Sequence, residues 1–241
     1  MPPCDYVALV SSLRSLDEPV PRVVRQTPPN AQIGDQQLFW IGDVDVSRNY
    51  QITATLWVQT EHIQMWVQDE AVADQEALER SAQAFEERIY PTTRRYFGSE
   101  WEPGIDGDPH LIVLNALFSG AAGYFFSANE YSRLVNPYSN EREMFVMNLR
   151  ALDPGTPEYE AVLAHEFQHM IHWYQDRNEF SWVGEGLSEL AVDLNDFEVG
   201  GFDFIFAFNP DLQLTFWPGD DQGDSAPHYG CLLYTSPSPR D

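Results

Sequence analysis

Between residues 50 and 70 the apolar positions alternate. Ile52, Ala54, Leu56 and Val58 interleave with Thr53, Thr55, Trp57 and Gln59, and Ile63, Met65 and Val67 resume the alternation after Thr60-Glu61. A period of two puts one set on each face of a strand, so this segment predicts a β-hairpin. From residue 71 the period lengthens. Leu78, Ala82, Phe85 and Ile89 fall on one helical stripe and Gly98 supplies a stop, which predicts a helix over 71–97. Two short apolar runs, 110–117 and 144–149, read as buried strands. Between them, Ala121-Ala122-Gly123-Tyr124-Phe125-Phe126 reads as an edge strand, with Gly123 equally suited to an ordinary turn. Thr156 as N-cap, Pro157 at the first helical position, and Glu158 and Glu160 in the first turn predict a helix over 156–174. A second helix is expected from Gly184 to Leu194.

These elements predict an α+β fold: a mixed sheet, with an edge strand, packed on helices 71–97 and 156–174. Residues 1–35, aperiodic and carrying Pro19, Pro21, Pro28 and Pro29, read as a leader or linker. A β-rich segment over 36–70 and a main lobe over 71–198 follow. Residues 199–230 read as the start of a C-terminal helical lobe that is cut short. Residues 231–241 resemble translated read-through of a sequencing adapter and are expected to be foreign to the fold, as a fusion scar would be. No internal repeat is visible.

Charge narrows the function classes. The formal net charge is -25, and all 13 basic residues are Arg. Without Lys there is no Schiff-base lysine and no P-loop, and so acidic a chain is not expected to bind nucleic acid. Hydrophobic residues make up 43% of the chain, as in a folded protein, yet no apolar run approaches the roughly 18 residues of a membrane span. Cys4 and Cys231 are too few for a disulfide framework. The first residues show neither a charged nor an apolar region of a signal peptide.

The chemistry concentrates on the 156–174 helix, which contains His165-Glu166-Phe167-Gln168-His169. Residues four apart share a helix face, so His165 and His169 can converge on one metal ion, as zinc requires. Glu166, beside the first of them, can act as base on an activated water. Downstream, Glu185 can complete a tripod of two imidazoles and a carboxylate, and Glu189, one turn on, can accept the outer N–H of a ligand histidine. His172 shares the histidine face but lies roughly 10 Å along the axis from His165, too far for the same ion. Asp106-Gly107-Asp108 hints at Ca2+, although such a segment commonly forms a turn. No Gly-x-Ser-x-Gly motif supports a serine hydrolase.

The stretch from His165 to Glu189 resembles the gluzincins, zinc peptidases whose third ligand is Glu. His-Glu-Phe-Gln-His-Met with Glu-Gly-Leu-Ser-Glu is most similar to the hyicolysin-like and immune inhibitor A-like secreted bacterial peptidases. Gly184 stands where thermolysin-like enzymes carry Asn, and the interval 170–184 is shorter than theirs. The resemblance implies a Zn2+ endopeptidase acting on extended peptide or protein substrates, with Glu166 as general base, and it implies secretion. It further implies that Ala122, Gly123 and Tyr124 form a substrate-pairing strand, and that a donor from the C-terminal lobe faces the metal. His228, or failing it Tyr229, is the candidate for that donor. The alternatives are a zinc-binding module without hydrolytic activity and a β-rich binding domain using the aromatics of 39–67 and 202–217. Phe202, Phe204, Phe206, Phe208 and Trp217 read more readily as core or pocket wall.

Overall fold

The computed structural model describes residues 5–16, 19–43, 48–198, 201–213, 215–218 and 225–235. Its centre is one six-stranded mixed sheet in the order β1-β2-β3-β4-β6-β5, formed by β1 (Gln36–Asp43), β2 (Arg48–Gln59), β3 (Ile63–Gln68), β4 (Leu111–Ala116), β5 (Gly123–Phe125) and β6 (Met144–Asn148). The first three strands form an antiparallel meander, β3, β4 and β6 run parallel, and β5 returns antiparallel to β6 at the edge. The 36–70 segment therefore shares its sheet with the strands of 71–198.

The expected hairpin is β2–β3, with one difference. A bulge between Leu56 and Val58 shifts the register, so Ile52, Ala54 and Leu56 pack on one side of the sheet and Val58 on the other. An extra residue in one strand reverses which face the following side chain takes. The sheet also curls. The Asn140 side chain accepts from Trp40 N and donates to Trp40 O, both at 2.8 Å, and the Tyr124 hydroxyl accepts from Gly42 N at 2.9 Å. The β1 edge is thereby tied back to Tyr124 of β5 and to Asn140, ahead of β6.

The helix expected over 71–97 begins at Gln75, capped by Asp74, and runs as α2 (Gln75–Ala84), a widened π turn (Phe85–Ile89) and α3 (Tyr90–Phe97). Pro91 follows the wide turn directly; proline lacks the N–H an α-helical ladder needs and its ring crowds the preceding turn. Gly98, at φ 91°, ends the helix. The expected stripe is the buried one, with Leu78, Ala82, Phe85 and Ile89 at 0% exposure. They pack with Tyr159, Leu163, Phe167 and Met170 of α4 (Pro157–Gln175) over Met65, Val113 and Phe145 of the sheet. Truncating such a residue, Phe167→Ala for instance, costs about 3–5 kcal/mol. Burial of the Tyr159 phenol is compensated by its hydroxyl donating to Asn115 Oδ1 at 2.6 Å.

The segment read as an aperiodic leader contains α1 (Tyr6–Leu13), started by Asp5 accepting from Val7 N and Ala8 N. It docks through Tyr6 against Tyr131, and Arg14 donates to Leu134 O. Beyond α4 come α5 (Ser181–Leu194), which starts three residues before the expected Gly184, then α6 (Phe202–Ala207) and α7 (Ala226–Thr235). The alternating phenylalanines of 202–208 lie on a helix, with Phe202 against Tyr229 and with Phe204 and Phe208 exposed. Cys231 and Leu232, from the stretch expected to be foreign, are buried within α7, and Leu232 lies against Gly186. Among the described residues no helix is long and apolar enough to cross a membrane.

Candidate metal centre

α4 and α5 pack side by side and deliver three ligand-type atoms to one point. His165 Nε2 and His169 Nε2 lie 3.0 Å apart, and Glu185 Oε2 is 3.4 Å from the first and 3.5 Å from the second. Among the described residues this is the one group of three or more such side chains able to hold a metal ion. The i, i+4 spacing on α4 brings the imidazoles together, and α5 brings the carboxylate across from the neighbouring helix.

Each histidine is fixed from behind. His165 Nδ1 is 3.1 Å from Glu189 Oε1, the contact expected from the sequence. His169 Nδ1 is 3.0 Å from Ser188 Oγ, whose own proton goes to Gln168 Oε1 at 2.6 Å. Glu189 can only accept, so His165 carries a proton on Nδ1 and points Nε2 at the cluster; a Ser188 hydroxyl that donates to Gln168 Oε1 or Gly184 O holds His169 in the same orientation. Ser188 is the residue that sequence reasoning missed. Its position one turn after Glu185, on the face that carries both acids, was the available signal. Gly184 leaves ordinary van der Waals distance to His169 Nδ1, so nothing steric demands glycine there.

Charge in the cluster follows from burial and proximity. Burial raises the Glu185 carboxyl, but His169 and His165 outweigh it and hold the group well below the usual carboxylate range. Burial lowers His165, and Glu185, Glu189 and Glu166 together reverse that and raise it well above an ordinary histidine. Glu166 is 5% exposed. Its carboxyl is raised by burial, with His165 and His169 pulling down, Glu185 pushing up, and the Phe125 backbone N–H as a further partner. That last contact ties Glu166 to the edge strand. A buried carboxyl raised in this way is suited to taking and returning a proton.

Gly123 decides how close that strand comes. A Cβ there would lie 2.8 Å from Val162 Cγ1 and 3.2 Å from Glu166 Cγ. The residue is therefore a strand glycine, not a turn glycine, and a side chain there would force Val162 and its neighbours to shift, because β5 passes directly against α4 beside the base. Tyr124 turns the other way, packing on Phe118 and serving β1, with its phenol pushed up to about 12 by burial. The Ala122 carbonyl is occupied by Asn148 N at 2.9 Å. Of the three expected strand residues, only Gly123 lies against the cluster.

The structure separates His228 from the site. Its ring lies between Phe216 and Trp217, at 5.8 and 6.0 Å, and is 6% exposed. Tyr229 stands at the cluster instead, 6.2 Å from His165 ring to ring and hydrogen-bonded to Glu185. Successive residues on a helix point about 100° apart, so α7 can turn only one of the two inward. Burial, then Glu185, raises the Tyr229 phenol far above its ordinary value, which keeps it a hydrogen donor. His172 stays outside the cluster; its Nε2 is buried without a hydrogen-bond partner, and burial and His169 lower its pKa.

Asp106 and Asp108 do not converge on a common point. Asp106 pairs with Arg142 at 2.7 Å and Asp108 with His110 at 2.6 Å. The chain matches no known protein-family model and no curated protein.

Proposed function

We propose that this chain is a zinc-dependent endopeptidase of the gluzincin type. The observation that carries the reading is the spacing of His165, His169 and Glu185. Zinc bonds of about 2.0–2.1 Å directed to tetrahedral corners place neighbouring ligand atoms about 3.3–3.4 Å apart. The separations here are 3.0, 3.4 and 3.5 Å. Two neutral imidazole nitrogens and one carboxylate are also the donor set of catalytic zinc sites that keep a fourth position open.

Bound by these three residues, zinc supplies Lewis acidity, which acidifies water and polarises a carbonyl. Glu166 accepts the proton of the attacking water and returns it to the leaving amine as the peptide C–N bond breaks. Tyr229, aimed at the same point from α7, donates to the negative charge that develops on the former carbonyl oxygen. Glu189 and Ser188 keep the two imidazoles in register. An extended peptide lies along the free edge of β5, where the absence of a side chain at Gly123 lets backbone meet backbone close to Glu166. Retention of a buried base beside the cluster favours hydrolysis over a purely structural site, which needs no such residue.

The test is elemental analysis of the purified chain together with a casein-cleavage assay. One zinc per chain and chelator-sensitive cleavage are expected. Absence of zinc, with no zinc-induced change in stability, would remove the reading.

A further inference from the structure

Away from the histidine cluster, four acids are almost wholly buried around the loops that precede β4 and β6. Glu100, Asp106, Glu130 and Glu143 are only 2–3% exposed. Two of them have cationic partners: Asp106 has Arg142 at 2.7 Å and Glu100 has Arg94 at 3.5 Å. Glu130 and Glu143 have no ion pair to any side chain among the described residues, and their carboxyl groups meet each other. Arg142 N donates to Asn129 O at 3.0 Å, which holds the two backbones side by side and brings the adjacent glutamates face to face.

The oxygens can be accounted for one by one. Glu143 Oε1 accepts from Ile105 N at 3.0 Å. Glu143 Oε2 and both oxygens of Glu130 have no donor. One proton shared between the carboxyls would satisfy one oxygen of each. It would leave a second Glu130 oxygen bare and one full negative charge buried, and an uncompensated charge in such surroundings costs several kcal/mol. Arg177 acts on Glu130 only through its field; its guanidinium is held over Trp173 at 4.2 Å.

The surroundings are built around the pair. Gly104 has φ +79°, and a Cβ there would fall 2.4 Å from Glu143 Cγ, so the loop closes on the carboxylate as only glycine permits. On the other side Glu130 lines a cavity of about 230 Å³ together with Tyr131, Trp101 and Trp173. That space has room for several waters.

We propose that Glu130 and Glu143 form a second metal site, distinct from the histidine cluster, that binds one calcium ion. Calcium takes oxygen ligands only, accepts irregular geometry, and completes its shell with water. Two carboxylates with three bare oxygens, beside a cavity with room for water, meet that demand. There is no imidazole in the pair to attract zinc, and the irregular approach suits calcium better than the strict octahedron of magnesium. The ion cancels the charge that one proton leaves behind, and it ties the loop carrying Glu130, just after β5, to the strand entrance at Glu143.

Calorimetric titration of the zinc-saturated full chain with calcium chloride tests this. One calcium per chain is expected, with a dissociation constant in the micromolar-to-millimolar range and a rise in melting temperature. Glu130→Gln and Glu143→Gln should each abolish that stoichiometry while zinc content stays at one. Glu185→Ala should lose zinc and keep calcium, so failure of the peptidase reading and failure of this one give different results. No calcium binding by the parent chain up to about 10 mM, well above the weakest modules of this kind, overturns the site whether or not the variants fold. Binding that persists in both Gln variants, or that magnesium matches, overturns it equally.

Discussion

Two groups of ionisable side chains, one partly and one almost wholly buried, arrange their charge oppositely. In the histidine cluster two imidazoles face one ligand carboxylate, with further acids behind and beside them, so opposite charges stabilise one another within the protein. In the Glu130–Glu143 pair like groups meet, and among the described residues no cationic side chain forms an ion pair with either. The first set has nitrogen and oxygen at tetrahedral distances; the second has oxygen alone. Burial differs as well, the three ligand side chains being 13–20% exposed and Glu130 and Glu143 2–3%, but the sharper differences are donor type and charge balance. Those two properties decide which ion each could hold.

The comparison can be broken at four points. Glu166→Gln should lower peptide hydrolysis by about 100- to 10,000-fold while zinc content is unchanged, because the amide keeps the shape and loses the base. Zinc analysis alongside the cleavage rate checks this, and near-parental cleavage would exclude Glu166 as the base.

Tyr229→Phe removes one hydroxyl and should lower kcat about 100-fold with little change in KM, as befits an interaction made mainly in the transition state. His228→Ala, one residue earlier on α7, should instead reduce thermal stability through lost packing on Phe216 and Trp217. Steady-state kinetics and melting curves on the pair separate the two roles.

Glu189→Ala should weaken zinc about 10- to 100-fold by loosening His165, and Ser188→Ala should act in the same direction through His169. Competition with a zinc chelator measures both, and neither should alter calcium binding. Unchanged zinc affinity would leave Glu189 a purely structural acid.

The smallest effect is on pH. An unperturbed glutamate titrates near 4.5, whereas Glu130 is raised by burial and by Glu143, with Arg177 pulling it down. Glu143 is raised by burial against the lowering contacts with Glu130 and the Ile105 N–H, with Asp106 and Glu100 pushing it further up. Folded calcium-free chain thus binds more protons than unfolded chain above pH 4.5, so stability should fall as pH rises from there. Urea denaturation from acid to neutral pH would record this slope, and calcium should flatten it. Glu143→Gln should flatten it without calcium.

Much of the histidine site was legible because its information is local. The spacing of His165 and His169, the cap at Thr156 and the acids on α5 each depend on one helix, and helical periodicity fixes which side chains share a face. What escaped depended on contacts between elements. Tyr229 and His228 are adjacent in sequence, and only the docking of α7 against α6 decides which one turns inward. Ser188 became a partner only once α5 had packed on α4. Glu130 and Glu143 sit in irregular segments with no period to connect them. β1 was lost in a broad β-rich segment because its run Leu38-Phe39-Trp40-Ile41 is apolar at every position, although Leu38 is 63% exposed. Val58 changed sides at a bulge that no alternation announces.

A sheet that is not a closed barrel has two ends at which another chain could add itself. At one end, Trp40 and Gly42 already have their outward backbone groups engaged by the side chains of Asn140 and Tyr124. At these two residues the side chains imitate a neighbouring strand and blunt that part of the β1 edge. At the other end, no strand of the described residues covers β5. One margin of the sheet is thereby partly blocked, while the margin beside Glu166 carries no further strand among the described residues. Asn140→Ala would remove half of that protection, and its signature would be concentration-dependent oligomers in solution.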